Sequence, residues 1–347
     1  MTPRALLPLD ASAVEASGQQ LRAALALSAA TGQGFEATRI RAGSLQPGLR
    51  PDQVAVARAV ALVCGAKVSG LFEGSPDLRF EPQAVEPGDF RFDLATAAPL
   101  TLVLQALALP LARAAETSRA FVSGGTHVPE SPLFHYLAQH WAAAVEPLGL
   151  RCAPSLLRAG FHPRGGGEAE MTVQPWAPPG AFFALEDRGP LLELRGTSGG
   201  ARDRGGAVAR QRQAAEHALW ESRRLTSTWH ELELSAASPG AFVMIEAVFE
   251  RSRAAFSFLG QSGVRAEALG ARAARAVLKF LEGEAAVDPF LADQLALPLA
   301  LAGCGGRIAT SEVTRHLETV VAVLRLFGWK AETWGRHGGP GGVEVLR

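Results

Sequence analysis

Lysine is almost missing from this chain. Of 34 basic residues, all but Lys67, Lys279 and Lys330 are Arg, so a site built from several lysines is excluded. An excess of one charge is missing too. The 34 acidic residues cancel the basic ones, and bulk electrostatics therefore gives no general attraction to nucleic acid. The Arg bias suits bidentate phosphate contacts, but beside so much Ala and Gly it reads first as a compositional trait. The cysteines, Cys64, Cys152 and Cys304, are odd in number and far apart. They offer neither metal-ligand spacing nor a disulfide framework and read as buried thiols in a reducing compartment. Long hydrophobic runs are also lacking. Met1–Asp10 holds no sustained apolar segment, and Leu100–Ala115 is interrupted by Gln105 and Pro110. No Walker loop and no dinucleotide fingerprint is present. These absences lead to the expectation of a soluble, cytoplasmic protein with no membrane partner.

What is present is an alternation of helical and extended patterns over 347 residues, 48% of them hydrophobic and 20% charged. That length suits two domains, or one repeat-built body with an insertion. Gln19–Ala30 and Pro51–Cys64 read as helices, each followed by extended segments, with Pro51 suited to a first helical turn. The same succession returns in Phe90–Leu94, Leu100–Ala114, Arg119–Ser123, Phe134–Leu148 and Glu168–Val173. A third copy is expected from Arg265–Gly283, Leu291–Ala302 and His316–Phe327. Between about 185 and 260 the texture changes to a compact β-α-β-β pattern. The expected layout is therefore a repeat-built body over 1–184 and 261–347, with a small α/β domain over 185–260 placed between the second and third copies. Arg195–Arg224 holds seven Arg against three acids, which reads as a solvated helix face before it reads as an RNA contact.

Several stretches carry chemistry. Gly43–Arg50, preceded by Arg39 and Arg41, brings guanidinium groups near a loop and a helix start. That arrangement suits phosphate through Arg forks and free backbone N–H groups, and equally suits an ordinary turn with exposed Arg. Ser123–Pro129 and Gly160–Gly167 form sharp turns after strands. Glu15 precedes a helix start, either as a simple N-terminal charge or as an oxygen ligand for a divalent ion. His316 stands between hydroxyl residues in Thr314-Arg315-His316-Leu317-Glu318-Thr319. A neutral imidazole there is an available nucleophile near pH 7.

Taken in order, these segments resemble the RNA 3′-terminal phosphate cyclase family nearly end to end. The likeness runs through Glu15–Arg22, Arg39–Gly43, Pro47–Pro51, Thr101–Gln105, Ser123–Pro132, Gly160–Gly167, Arg188-Gly189, Ala266–Gly270, Leu291–Leu295 and Thr314–Thr319. The resemblance implies an α/β fold of three repeated βαβαββ-type units, as in enolpyruvyl transferases, with a small inserted α/β domain. It implies an enzyme that adenylylates a His with ATP and passes AMP to the 3′-phosphate of an RNA end. The neighbouring 2′-hydroxyl then closes a 2′,3′-cyclic phosphate. By the same resemblance His316 is the nucleophile. Gln105, Leu291, Ala292, Asp293 and Gln294 line the ATP site, and Phe290 and Pro132 flank the adenine. Arg22, Arg41 and Arg50 face phosphates, and Glu15 accompanies Mg²⁺ or Mn²⁺. The implied partner is RNA with a 3′-phosphate end, and a homodimer is left open.

The chain departs from the family's usual pattern at identifiable places. A Glu-Gly-Gly-Gly-Gln run becomes Glu15-Ala16-Ser17-Gly18-Gln19, putting side chains where backbone often approaches substrate. A Gln-His pair becomes Asp52-Gln53, Ala95–Pro99 replaces a Gly-Thr-Ala-Gly-Ser run, and His127 stands where many members carry Asn or Asp. The rival from another class is a non-catalytic, RNA-binding relative acting in ribosome assembly; such relatives lack the nucleophilic His. An enolpyruvyl transferase is disfavoured by the scarcity of Lys.

Overall fold

A computed structural model describes residues 5–13, 17–94, 97–203 and 205–346. The first unit runs β1 (Leu7–Asp10), α1 (Ser17–Thr31), β2 (Phe35–Thr38), α2 (Pro51–Val63), β3 (Lys67–Ser69) and β4 (Leu78–Glu81), with strand order β1-β2-β4-β3. The second unit begins with β5 (Asp89–Asp93), α3 (Leu100–Leu111) and β6 (Ser118–Gly124). A π-helical turn (Tyr136–Trp141) follows, continuing as α4 (Ala142–Val145) and then a 3₁₀ turn. Strands β7 (Cys152–Arg158) and β8 (Gly167–Val173) complete the order β5-β6-β8-β7. The third unit consists of β9 (Phe183–Leu185), α7 (Pro289–Ala302), β14 (Gly306–Thr310), α8 (Arg315–Leu326), β15 (Ala331–Gly335) and β16 (Gly341–Val345). Its order, β9-β14-β16-β15, repeats the other two. In every unit the first two strands are parallel and the rest antiparallel. The three-unit α/β fold is thus present.

The boundaries of the insertion differ from the sequence reading. Strand β9 pairs with β14, so the third unit opens before the insertion and closes after it. Between them lie β10 (Leu191–Ala201), α5 (Ala207–Arg223), β11 (Thr228–Leu234), β12 (Gly240–Phe249), β13 (Arg253–Leu259) and α6 (Ala266–Phe280). Helix α6, expected in the third copy, packs on α5 and the insertion sheet instead. Its apolar stripe of Leu269, Ala273, Val277 and Phe280 shares a separate core with Leu194, Leu219, Val243 and Ile245. Gly270 makes this close packing feasible, since a Cβ there would lie 1.8 Å from the Gln211 carbonyl oxygen.

Alternation along β12 explains how the insertion docks. Val243, Ile245 and Ala247 point to the α5/α6 core, while Phe242 and Met244 join the body's core. Glu246 shares that second face and is only 3% exposed. In the body, α1 packs against α2, α3 and α8, and α7 packs against α8. Helix α1 is Ala- and Leu-rich and buried nearly all round, as expected of a central helix. No helix among the described residues is long and apolar enough to cross a membrane.

Candidate functional site

Polar residues on otherwise apolar helices mark the site. On α1, Gln19, Arg22, Ala23 and Ala26 follow helical spacing along one stripe, and they line a cleft. Its other walls come from Gln105 and Leu109 on α3, Asp293, Gln294 and Leu297 on α7, and Trp141. Helices α1, α3 and α7 are the leading helices of the three units, so the repeat itself brings them to a common cleft.

The polar groups are knitted together across units. Arg22 Nη2 donates to Gln19 Oε1 (2.6 Å), and Gln19 Nε2 donates to Asp293 Oδ2 (2.9 Å). Gln105 Nε2 donates to Gln294 Oε1 (2.6 Å), whose amide donates to the Phe290 carbonyl (2.6 Å). Asp293 is buried, and burial pushes its carboxyl up to about 7, with Arg22 opposing and Asp288 reinforcing the shift. Burial likewise pulls the Arg22 guanidinium down, against the pull of Asp293 and Asp52.

His316 occupies the second position of α8. Thr314 caps that helix, its Oγ1 accepting from the Leu317 N–H at 3.2 Å. The ring is exposed, yet the protein atoms around it remove enough hydration to lower its pKa, and the nearby Arg22 charge lowers it further. The α8 N-terminus, with its partial positive charge, also favours neutral imidazole and attracts anions. No described residue hydrogen-bonds the ring. The arrangement offers a neutral, accessible nucleophile beside a guanidinium.

Arg41, Arg50, Pro132, Phe290, Leu291 and Ala292, also expected at the site, do not line this cleft. Arg50 is exposed; it pairs with Asp52 (2.9 Å) and approaches Glu130 (3.7 Å), and its charge is felt at Arg22. Arg41 does not line the cleft. It sits at φ +52 in a loop, with its side chain on Ser44 Oγ (2.9 Å) and the Gly48 carbonyl (3.3 Å). Gly48 lets that loop press on its neighbour, because a Cβ at its φ of +86 would meet the Gly74 oxygen at 2.2 Å. Pro132 is half-buried, and its carbonyl accepts from Thr101 Oγ1 (2.8 Å), one turn before Gln105. Phe290 is 57% exposed at the start of α7, whereas Leu291 and Ala292 are fully buried in the core and present no side chain to the cleft. Glu15 lies outside the described residues, as do Ala95 and Thr96. Among the described residues no group of three or more His, Cys, Asp or Glu is placed to hold a metal ion.

Sequence reasoning missed Gln19 and Trp141 as cleft residues. The stripe 19, 22, 23, 26 would have shown Gln19; nothing local singles out Trp141. Of the departures, Gln53 accepts from the Arg50 backbone N–H (2.9 Å) and helps cap α2. His127 is buried, with its Nε2 2.9 Å from His135 Nδ1.

These features define a three-unit α/β protein with a polar cleft at the convergence of its leading helices; His316, at a helix start, does not line that cleft but feels the charge of Arg22, which does. A family profile described as RNA 3′-terminal phosphate cyclase matches residues 13–332. Relatives bearing that name include one from Ralstonia nicotianae, 38% identical over 94% of this chain and 93% of its own length. Another, from Ectopseudomonas mendocina, is 37% identical over 89% of each. A third, from Thermococcus onnurineus, is 38% identical over 98% of this chain and 99% of its own. The chain belongs to the RNA 3′-terminal phosphate cyclase family. The crystal structure of the enolpyruvyl transferase NikO from Streptomyces tendae overlaps 48% of this chain and 33% of its own at 17% identity and a TM-score of 0.28, from which nothing about the site follows.

Proposed function

We propose that this protein uses ATP to convert an RNA 3′-phosphate end into a 2′,3′-cyclic phosphate through a His316-AMP intermediate. The observation that carries the reading is the exposed, neutral-leaning His316 at the α8 N-terminus beside Arg22. In the first step a ring nitrogen of neutral His316 attacks the α-phosphorus of ATP. The bond to the β-phosphate bridge breaks and pyrophosphate leaves. An oxygen of the RNA 3′-phosphate then attacks the same phosphorus, the P–N bond breaks, and imidazole is restored. Finally the 2′-hydroxyl attacks the 3′-phosphorus, its proton passes to solvent, and AMP departs. Closure needs mainly orientation, since the hydroxyl is already adjacent.

The cleft suits a nucleotide in this reading. Gln105 and Gln294 offer amide groups, Phe290 offers an exposed ring one turn before Asp293, and Pro132 is tethered to α3 as the second flank of the adenine. Leu291 and Ala292 support the site from the core. Arg22 offsets charge gathered at the α-phosphorus, with Arg50 and the loop-held Arg41 assigned to the approaching RNA phosphates. An Asp293 carboxyl near neutrality adds less repulsion toward a triphosphate than a fully ionised one. The described residues do not fit a protein-built divalent cage. Mg²⁺ or Mn²⁺ would accompany the ATP phosphates and offset their charge, with Glu15 as the carboxylate proposed to hold it.

Incubation with α-labelled ATP tests the reading. The protein should retain acid-labile, alkali-stable label, His316→Ala should abolish it, and a 3′-phosphorylated oligoribonucleotide should gain phosphatase-resistant ends. A protein that never takes up label would overturn the proposal.

A further inference from the structure

A buried cluster of ionisable groups joins the π-helical turn, the insertion and the start of α7. His140, in the π-helical turn, is fully buried. Its Nδ1 lies 2.9 Å from Glu246 Oε1 on the insertion's β12, and its Nε2 lies 3.1 Å from Asp288 Oδ2 at the start of α7. Carboxyl oxygens at both ring nitrogens favour the doubly protonated, cationic ring. Burial works against that charge, but the hydrogen bonds to Asp288 and Glu246 outweigh it and raise the pKa. Arg253 on β13 approaches Glu246 Oε1 (3.3 Å), balancing two anions with two cations.

Asp288 joins this cluster to the cleft. Its Oδ1 accepts from the Phe290 and Leu291 N–H groups (3.0 and 2.9 Å), capping α7. Its Oδ2 takes the Ala255 N–H of β13 (3.1 Å) as well as His140. One carboxylate thus fixes the first turn of the helix that presents Phe290, Asp293 and Gln294. The Tyr136 ring lies against His140 with centroids 4.9 Å apart. A strand of the insertion has no packing need for a buried Glu on a face otherwise formed by Phe242 and Met244.

We propose that His140 is a positioning residue for ATP, holding the α7 cap in register with the inserted domain through the bonds Glu246–His140–Asp288. This rests on the proposed ATP reaction, and it assigns the insertion a part in nucleotide affinity. A chain of buried, fully paired groups transmits displacement because loss of one bond leaves a charge without its partner. The coupling is reciprocal: ATP bound in the cleft should slow backbone amide exchange in β12.

The test compares wild type with Glu246→Gln and His140→Gln in the full chain. Equilibrium ATP binding and His316 labelling are read beside thermal melting. The dissociation constant for ATP should rise roughly tenfold in each variant. Labelling at saturating ATP and the KM for the RNA end should stay within about twofold. The double variant should weaken binding no more than the stronger single one, because both act through the same chain. Glu246→Gln keeps shape and size, so it serves even if His140→Gln fails to fold. A folded Glu246→Gln protein with wild-type ATP affinity overturns the inference, whatever its melting temperature. Wild type that binds ATP without labelling His316 defeats the proposed reaction and leaves the affinity comparison standing. Wild type that does not bind ATP defeats both.

Discussion

Arg22 influences two groups of opposite kind, and both effects can be measured. Its charge helps keep His316 neutral, so Arg22→Ala should move the His316 ring titration to higher pH, observable by NMR of the imidazole. The acid limb of the labelling rate should move the same way, because a protonated ring has no lone pair to offer. Asp293 gives a second pH signature. Its carboxyl titrates at about 7, so the cleft gains negative charge above that pH, and the KM for ATP should increase there. Asp293→Asn should flatten that increase. At this scale His316 stood out in sequence as a polar residue in an apolar stretch, whereas Gln105, Asp293 and Gln294, which do share one cleft, were legible only through the family resemblance. It was uninformative about side-chain direction within Phe290–Gln294. A motif gives consecutive residues equal weight, whereas helical geometry turns Leu291 and Ala292 into the core.

Helix ends carry much of the site's order. Thr314→Ala removes the α8 cap and should cost about 1 kcal/mol in chemical denaturation. It should also slow the proposed His316 labelling, since that ring lies in the turn that frays. The α7 cap is more consequential. Asp288→Ala would leave the His140 charge buried beside Glu246 alone and should cost roughly 3–5 kcal/mol. Helices α1, α2 and α3 were legible from apolar periodicity and from Pro51, as found at 17–31, 51–63 and 100–111. The stretch Phe134–Leu148 reads as one helix in sequence but consists of π, α and 3₁₀ turns. The extra residue per π turn changes which side chains share a face without changing composition, so no apolar count reveals it. That local rewinding lies where His140 turns inward, in keeping with the frequent use of π turns at functional sites.

Across the whole molecule, the body and insertion meet on a layer of rings. His127 lies 4.7 Å from the Phe242 ring of β12, and His135 stacks on it at 4.5 Å. Burial lowers both imidazoles, that of His135 to about 4. An unfolded His binds its proton near 6.5, so as pH falls below that value the unfolded state takes up protons first. His135 alone should therefore remove about 3 kcal/mol of stability between pH 6.5 and 4. Calorimetry should show the melting temperature falling across that window, and His135→Phe should reduce the slope. The repeated element order was legible in the sequence, but the nesting of the insertion was not. Strand β9 has only three residues, and α6 is equally amphipathic whichever sheet it covers.

The pairing of β9 with β14 closes the third unit across the whole insertion. Phe183 must meet Gly306 across the whole inserted segment, a contact of long sequence separation that forms slowly. During synthesis the first two sheets can close as they emerge, while α7 and α8 arrive last. A nascent chain stopped short of α7 would hold three complete sheets but lack the wall that α7 gives the cleft. The cleft is thus completed only when the final segment docks, and a ligand that bridges α1 and α7 would reward that late closure.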